Sequence, residues 1–138
     1  MVSDKDFNII LRKKMLELIK GSNKKNIRET PLEIKNIKDI EKISQLNLPI
    51  LIDFWAPWCP PCLFMKPIFE NLAKKYSNKL LFVKVNVDDA PDIASMFNIY
   101  AVPTFIMLYQ GRVICRREGA MPSAIFEKWI NSCLNKIS

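Results

Sequence analysis

Apolar residues along the 138-residue chain change their spacing several times, and each change marks an element. Phe7, Ile10, Leu11, Met15, Leu18 and Ile19 recur at helical spacing, while Arg12, Lys13 and Lys20 fall elsewhere on the turns. Ser3 with Asp6 makes a weak capping-box pair and Gly21 a C-terminal cap, so the pattern predicts a helix over residues 4–20. The polar stretch 22–31 ends in Pro31 and reads as a linker. This divides the chain into an amphipathic helix and linker, residues 1–31, and a domain, residues 32–138.

Within the domain the period shortens. Residues 32–37 predict a short strand and 39–45 a short helix with Ile40 and Ile43 inward. Residues 50–55 are apolar throughout except for Asp53, which suits a strand buried on both faces. Residues 63–76 are helical by pattern, with Phe64, Ile68, Leu72 and Tyr76 on one face and Pro67 predicting a kink rather than a stop. Residues 80–87 form an apolar strand interrupted by Lys84, and 91–97 a short helix opened by Pro91. Residues 104–109 and 112–117 flank Gln110-Gly111 as an antiparallel hairpin. Pro122 then opens a last helix with Ile125, Phe126, Trp129, Ile130 and Cys133 or Leu134 inward. Strands alternating with helices and closing on a hairpin predict an α/β sandwich: a central mixed sheet with helices on both faces.

Composition narrows the class. A hydrophobic fraction of 49% and a charged fraction of 25% are those of an ordinary globular protein. The net charge of +7 is uneven, since residues 1–28 hold eight Lys or Arg against three Asp or Glu. Such a bias suits nucleic acid, an acidic partner or a membrane surface, or simply a solubilising surface. The basic residues lack an interleaved aromatic platform, so nucleic acid is not an expected partner. No stretch reaches the 18 or more apolar residues of a membrane span, and the N-terminus lacks a signal-peptide pattern. The expectation is a cytoplasmic protein.

The chemistry sits at Trp58-Cys59-Pro60-Pro61-Cys62. Two thiols three residues apart at a strand-to-helix junction can approach within disulfide distance and toggle between dithiol and disulfide. Zinc would use the same spacing but takes four ligands, usually as two such pairs. The chain has no His, and Cys115 and Cys133 are not spaced as a second pair. At a helix start the dipole and unpaired N–H groups favour an anion, which makes Cys59 the nucleophile. Cys62 lies deeper and would resolve the mixed disulfide, given a base for its proton. Asp53, in its apolar strand, fits that base, with Lys84 on the next strand as its charged neighbour.

With these residues in place, the chain resembles the thioredoxin family across residues 32–138. The resemblance rests on Asp53-Phe54-Trp55-Ala56, the Cys59–Cys62 motif, Pro67, Lys84 to Asp88, Val102-Pro103-Thr104, Gly111 and Gly119 in family order and spacing. It implies a thioredoxin-like three-layer sandwich, whereas the helix expected before residue 30 has no counterpart in a minimal member of the family. It implies a protein-disulfide reductase or electron carrier with a reversible Cys59-Cys62 disulfide and no other cofactor or metal. Its partners would be protein disulfides and thioredoxin reductase or an equivalent. The resemblance also implies a cis Val102-Pro103 bond beside the active site, in a loop that offers its backbone to an extended substrate. Trp58, Pro60, Pro61, Ala101, Val102 and Pro103 would then form the substrate-binding rim.

Several positions depart from the family pattern. Pro60 replaces the usual Gly, so neither residue between the cysteines has an N–H, and backbone donors near Cys59 are fewer. Pro57, Leu63 and Ala101 replace frequently acidic, basic and Gly positions, which bears on partner choice. Cys115 and Cys133 read as small buried hydrophobes, with a disulfide between them or a regulatory thiol as the less favoured alternative. Two further functions stay open at this stage: a thioredoxin-fold binding or chaperone module whose N-terminal helix recruits a partner, and a dedicated thiol oxidase or isomerase.

Overall fold

The computed structural model describes residues 28–137. The helix expected over 4–20 and most of its linker therefore lie outside the described residues. From residue 32 the chain runs β1 (Leu32–Glu33), α1 (Ile37–Ile43), β2 (Ile50–Trp55), α2 (Pro60–Lys75), β3 (Leu81–Asn86), α3 (Pro91–Met96), β4 (Thr104–Tyr109), β5 (Arg112–Glu118) and α4 (Ser123–Asn135). The strands make one sheet in the order β1-β3-β2-β4-β5. Strands β1, β3 and β2 are parallel to one another, and β4 and β5 add antiparallel pairs.

The alternation of side chains along each strand sorts the core into two layers. Leu51, Phe82, Phe105 and Met107 meet α2 and α4, whereas Ile50, Ile52, Phe54, Val83, Val85 and Ile106 lie in the opposite layer with Ile40, Ile43 and Ile93 of α1 and α3. Asp53, two residues from Leu51, therefore belongs to the α2 face. A cluster of Phe69, Phe82, Phe105 and Phe126 fills that layer, with the Phe105 and Phe126 rings 4.5 Å apart. Tyr76 ties the two helices together by donating its hydroxyl toward Glu127 Oε2 at 2.7 Å and Asn131 Oδ1 at 3.2 Å.

Four expectations require correction. The first strand stops at Glu33, and α1 starts at Ile37 because the Asn36 side chain accepts the Lys38 N–H and caps the helix there. Helix α2 begins at Pro60, and its inward face is Cys62, Met65, Phe69, Leu72 and Ala73, with Phe64 left 55% exposed. On α4, Phe126, Ile130 and Cys133 define the inward stripe and Ile125 points outward. Cys115 and Cys133 are not simply isolated buried hydrophobes: their sulfurs are joined in a disulfide.

Candidate active site

Strand β2 delivers the chain to the site at Trp55, whose carbonyl accepts the Val87 N–H, and the buried Ala56 follows. The Cys59 N–H then bonds to the Ala56 carbonyl, closing a turn that leaves Pro57 and Trp58 exposed. Cys59 is the N-cap of α2 with extended φ and ψ, and Pro60 and Pro61 fill the first two helical positions. Those positions need no N–H, since helix-start amides have no partner within the helix, and the ring presets φ for the helix. The first amide available is that of Cys62. It donates to Cys59 Sγ at 3.2 Å. The two prolines thus leave one directed donor at the nucleophilic position instead of several diffuse ones.

The Cys59 and Cys62 sulfurs are joined in a disulfide, with their Cα atoms 5.2 Å apart. Both residues are nearly buried, packed with Ala56 against Trp55, Val87 and Val102. Cys59 Sγ also lies 3.6 Å from the Val102 carbonyl oxygen. That carbonyl immediately precedes the cis Val102-Pro103 bond. Pro103 is buried, its own carbonyl accepting the Gly119 N–H at 2.8 Å, and the Thr104 hydroxyl donates to the Ala101 carbonyl at 2.6 Å. These bonds hold the loop against the sulfur.

Asp53 pairs with Lys84 in the β2–β3 register and with Phe105 in the β2–β4 register. Its carboxyl is 1% exposed, and Oδ1 has no hydrogen-bond partner among the described residues. Burial therefore disfavours the anion and pushes the Asp53 carboxyl up to about 7, against a smaller downward pull from the Lys84 ammonium. Lys84 extends over the Trp55 ring, its Nζ 4.6 Å from the ring centre. Trp55, Cys62, Lys66 and Lys84 share the wall of a cavity of about 570 Å³ closed on one side by residues 29–31. Polar groups and Cys62 thus meet behind the disulfide.

In front of it the surface is apolar. Trp58 is 66% exposed and Tyr100 86%, with Ala101 exposed and Val102 half-buried beside them. The Trp58 indole N–H donates to Asp88 Oδ2 at 3.0 Å, which fixes the ring at the rim. Asp88 is in turn positioned by its own N–H bond to Asn86 Oδ1. The structure brings together Cys59, Cys62, Trp58, Pro60, Pro61, Ala101, Val102 and Pro103 beyond the C-terminal end of the central strand β2 and sets Asp53 and Lys84 behind them. Sequence reasoning did not assign Asp88 to this rim. Asp88 lies 30 residues from Trp58, and no local spacing pairs them.

Among the described residues no group of three or more His, Cys, Asp or Glu side chains is arranged to hold a metal ion. No helix among them is long and apolar enough to cross a membrane.

Residues 33–132 match the family model described as Thioredoxin. The chain is 35% identical to a thioredoxin from Haemophilus influenzae over 102 residues, covering 72% of this chain and 95% of that protein. It is 38% identical to the chloroplastic thioredoxin M4 of Arabidopsis thaliana over 106 residues, covering 75% of this chain and 55% of that longer protein. The fold superposes on mitochondrial thioredoxin 3 from Saccharomyces cerevisiae with a TM-score of 0.68 at 33% identity, covering 74% of this chain and 94% of that one. A thioredoxin structure from Malassezia sympodialis gives 0.70 at 31% identity, covering 77% of this chain and 93% of that one.

Proposed function

Because the chain belongs to the thioredoxin family and is a protein-disulfide reductase working through a redox-active disulfide rather than a metal or organic cofactor, we propose that Cys59 is its nucleophile and Cys62 its resolving thiol. In the reduced protein, the Cys59 thiolate attacks one sulfur of a substrate disulfide and the other substrate sulfur leaves as a thiolate. Cys62 loses its proton, attacks Cys59 Sγ and expels the second substrate thiol. Two electrons pass to the substrate, and the Cys59-Cys62 disulfide remains.

The observation that carries this assignment is the Cys62 N–H aimed at Cys59 Sγ from the first turn of α2. It supports a thiolate at Cys59 in two ways, as a hydrogen bond to the charged sulfur and as the positive end of a helix dipole. Asp53 is the proton acceptor for Cys62, because a carboxyl titrating near neutrality both takes and returns a proton. Lys84 sets how readily it does so. Trp58, Pro60, Pro61, Ala101, Val102 and Pro103 form the surface on which an extended disulfide-bearing segment lies, with the Val102 backbone beside the reacting sulfur.

The family's partners are disulfide substrates and a reductase. For this chain we place them as protein disulfides and a thioredoxin reductase or equivalent, in the cytoplasm, where a reductant supply keeps the couple turning over. Nucleic acid has no role in the cycle. The reductase unit is residues 32–138, a boundary supported by the start of β1 at Leu32. The sequence pattern of residues 1–31 reads as an amphipathic helix and its linker ahead of that unit, with residues 29–31 reaching back to the cavity beside Cys62.

Reduction of insulin disulfides tests the assignment. Cys59→Ser abolishes turnover and forms no adduct. Cys62→Ser also abolishes turnover but accumulates a mixed disulfide through Cys59. Undiminished turnover in both variants overturns the assignment of the two thiols, and loss of turnover with unchanged biological activity favours the binding or chaperone class instead.

A further inference from the structure

The second cysteine pair stands at the opposite electrostatic pole from the first. Cys59 caps the N-terminus of α2, whereas Cys133 lies in the last turn of α4, whose C-terminal cap is Lys136. The carbonyl end of a helix disfavours an anion, as its amide end favours one. Cys133 is also fully buried among Phe126, Ile130 and Met121, so a thiolate there lacks water as well. Cys115 sits within strand β5, away from any helix N-terminus. Neither sulfur has the stabilisation that makes Cys59 a good attacking or leaving group.

The placement of Cys115 is itself unusual. Met107 pairs with Cys115 but Leu108 pairs with Val113, which leaves Ile114 as an extra residue on β5. A bulge of this kind re-aims the residues around it. Successive residues Ile114 and Cys115 both pack on the α2–α4 layer, although an unbroken strand would send them to opposite faces. Cys115 is thereby turned toward Cys133, with Cα atoms 5.9 Å apart. The bridge joins the edge strand of the sheet to the C-terminal helix.

We propose that Cys115-Cys133 is a structural disulfide that stays oxidised while Cys59-Cys62 cycles, locking α4 to β5. Its formation removes two electrons and two protons from the two thiols. A low-molecular-weight disulfide such as oxidised glutathione accepts them and leaves as two thiols. Once closed, the bridge is a poor substrate for thiol attack, because a leaving thiolate at either end is unsupported.

Graded reduction of the oxidised, folded full chain with dithiothreitol, followed by alkylation and peptide mass mapping, tests this directly. Labels appear first at residues 59 and 62. Residues 115 and 133 become labelled only at a roughly hundredfold higher ratio of reduced to oxidised dithiothreitol, equivalent to about 60 mV, or after denaturation. Labelling of all four cysteines in one step overturns the proposal, as does free thiol at 115 and 133 in native protein equilibrated with oxidised glutathione. A Cys115→Ala/Cys133→Ala variant melts roughly 5 to 15 °C below the oxidised chain and keeps insulin reduction within twofold. An unchanged Tm overturns the locking role. If that variant fails to fold, the wild-type mapping still decides. Because labels at 59 and 62 are read separately, failure of this proposal is distinguishable from failure of the catalytic assignment.

Discussion

Asp53 stands beside Lys84 across the β2–β3 ladder, buried to 1% exposure, yet its Oδ1 finds no hydrogen-bond partner among the described residues. Desolvation outweighs the attraction of the ammonium, so the folded protein holds the Asp53 proton up to about pH 7 while the unfolded chain releases it near 3.8. Below the unfolded value both states are protonated and the contribution to stability is complete. As pH rises from there to about 7, the unfolded state is progressively favoured. Stability falls across this window by on the order of 4 kcal/mol. Urea unfolding of the chain and of Asp53→Asn from pH 4 to pH 9 checks the sign: the two converge at the acid end, and the variant is the more stable by a few kcal/mol at pH 8. Parallel curves would exclude Asp53 as the source.

The same variant separates stability from chemistry. Asparagine cannot accept the Cys62 proton, so resolution of the mixed disulfide slows by roughly a hundredfold at neutral pH, the low end of what a positioned base contributes. Stopped-flow measurement of the second step, in a protein more stable than the parent, reports this loss without interference from unfolding. Equal resolution rates would remove Asp53 from the mechanism.

Lys84 lowers the Asp53 pKa through its charge. Lys84→Met removes that pull and preserves much of the side chain's apolar contact with the Trp55 ring. The acidic limb of the pH–rate profile therefore moves to higher pH. A profile that stays in place, or moves to lower pH, contradicts the Asp53–Lys84 coupling.

At the rim, the Trp58 N–H to Asp88 bond orders an exposed ring. Asp88→Asn weakens the charge on the acceptor, and Trp58→Phe removes the donor while keeping an aromatic face. Each raises KM for insulin about two- to fivefold, in line with a hydrogen bond worth about 1 kcal/mol. Thermal stability changes little because the group is exposed. A large fall in Tm with unchanged KM would make the contact architectural instead.

Arg116 closes the far side of the same loop. Its guanidinium donates to the Phe97 and Asn98 carbonyls, both at 2.6 Å, at the end of α3 just before Tyr100 and Ala101. Arg116→Ala leaves those helix-end carbonyls to water and costs about 1 to 3 kcal/mol, the lower part of that range reflecting partial exposure. Arg116→Lys recovers part of the loss, since one ammonium cannot reproduce a planar two-pronged contact. Calorimetry of the two variants checks the order.

How far these features were legible depends on the distance over which each is specified. Strand β2, the helix start beside Cys59, the hairpin at Gln110-Gly111 and the closeness of the Cys59 and Cys62 sulfurs follow from spacing within a few residues. There backbone sterics, helix-end amides and chain geometry leave little choice. Asp53 was identifiable because a carboxyl inside an apolar strand has few uses other than a perturbed one.

Placement across the fold was not decided locally. The inward phase of α2 turned on which of its residues the sheet and α4 cover, and that put Phe64 out and Met65 in. The contacts of Trp58 with Asp88, of Arg116 with Phe97, and of Cys115 with Cys133 join segments that only packing brings together, the last through a bulge with no local sequence mark. Chemistry carried by neighbours in the chain is written in the chain, whereas chemistry carried by neighbours in space depends on which faces the sheet and helices bury. That choice minimises exposed apolar area over the whole domain, so no short stretch contains it.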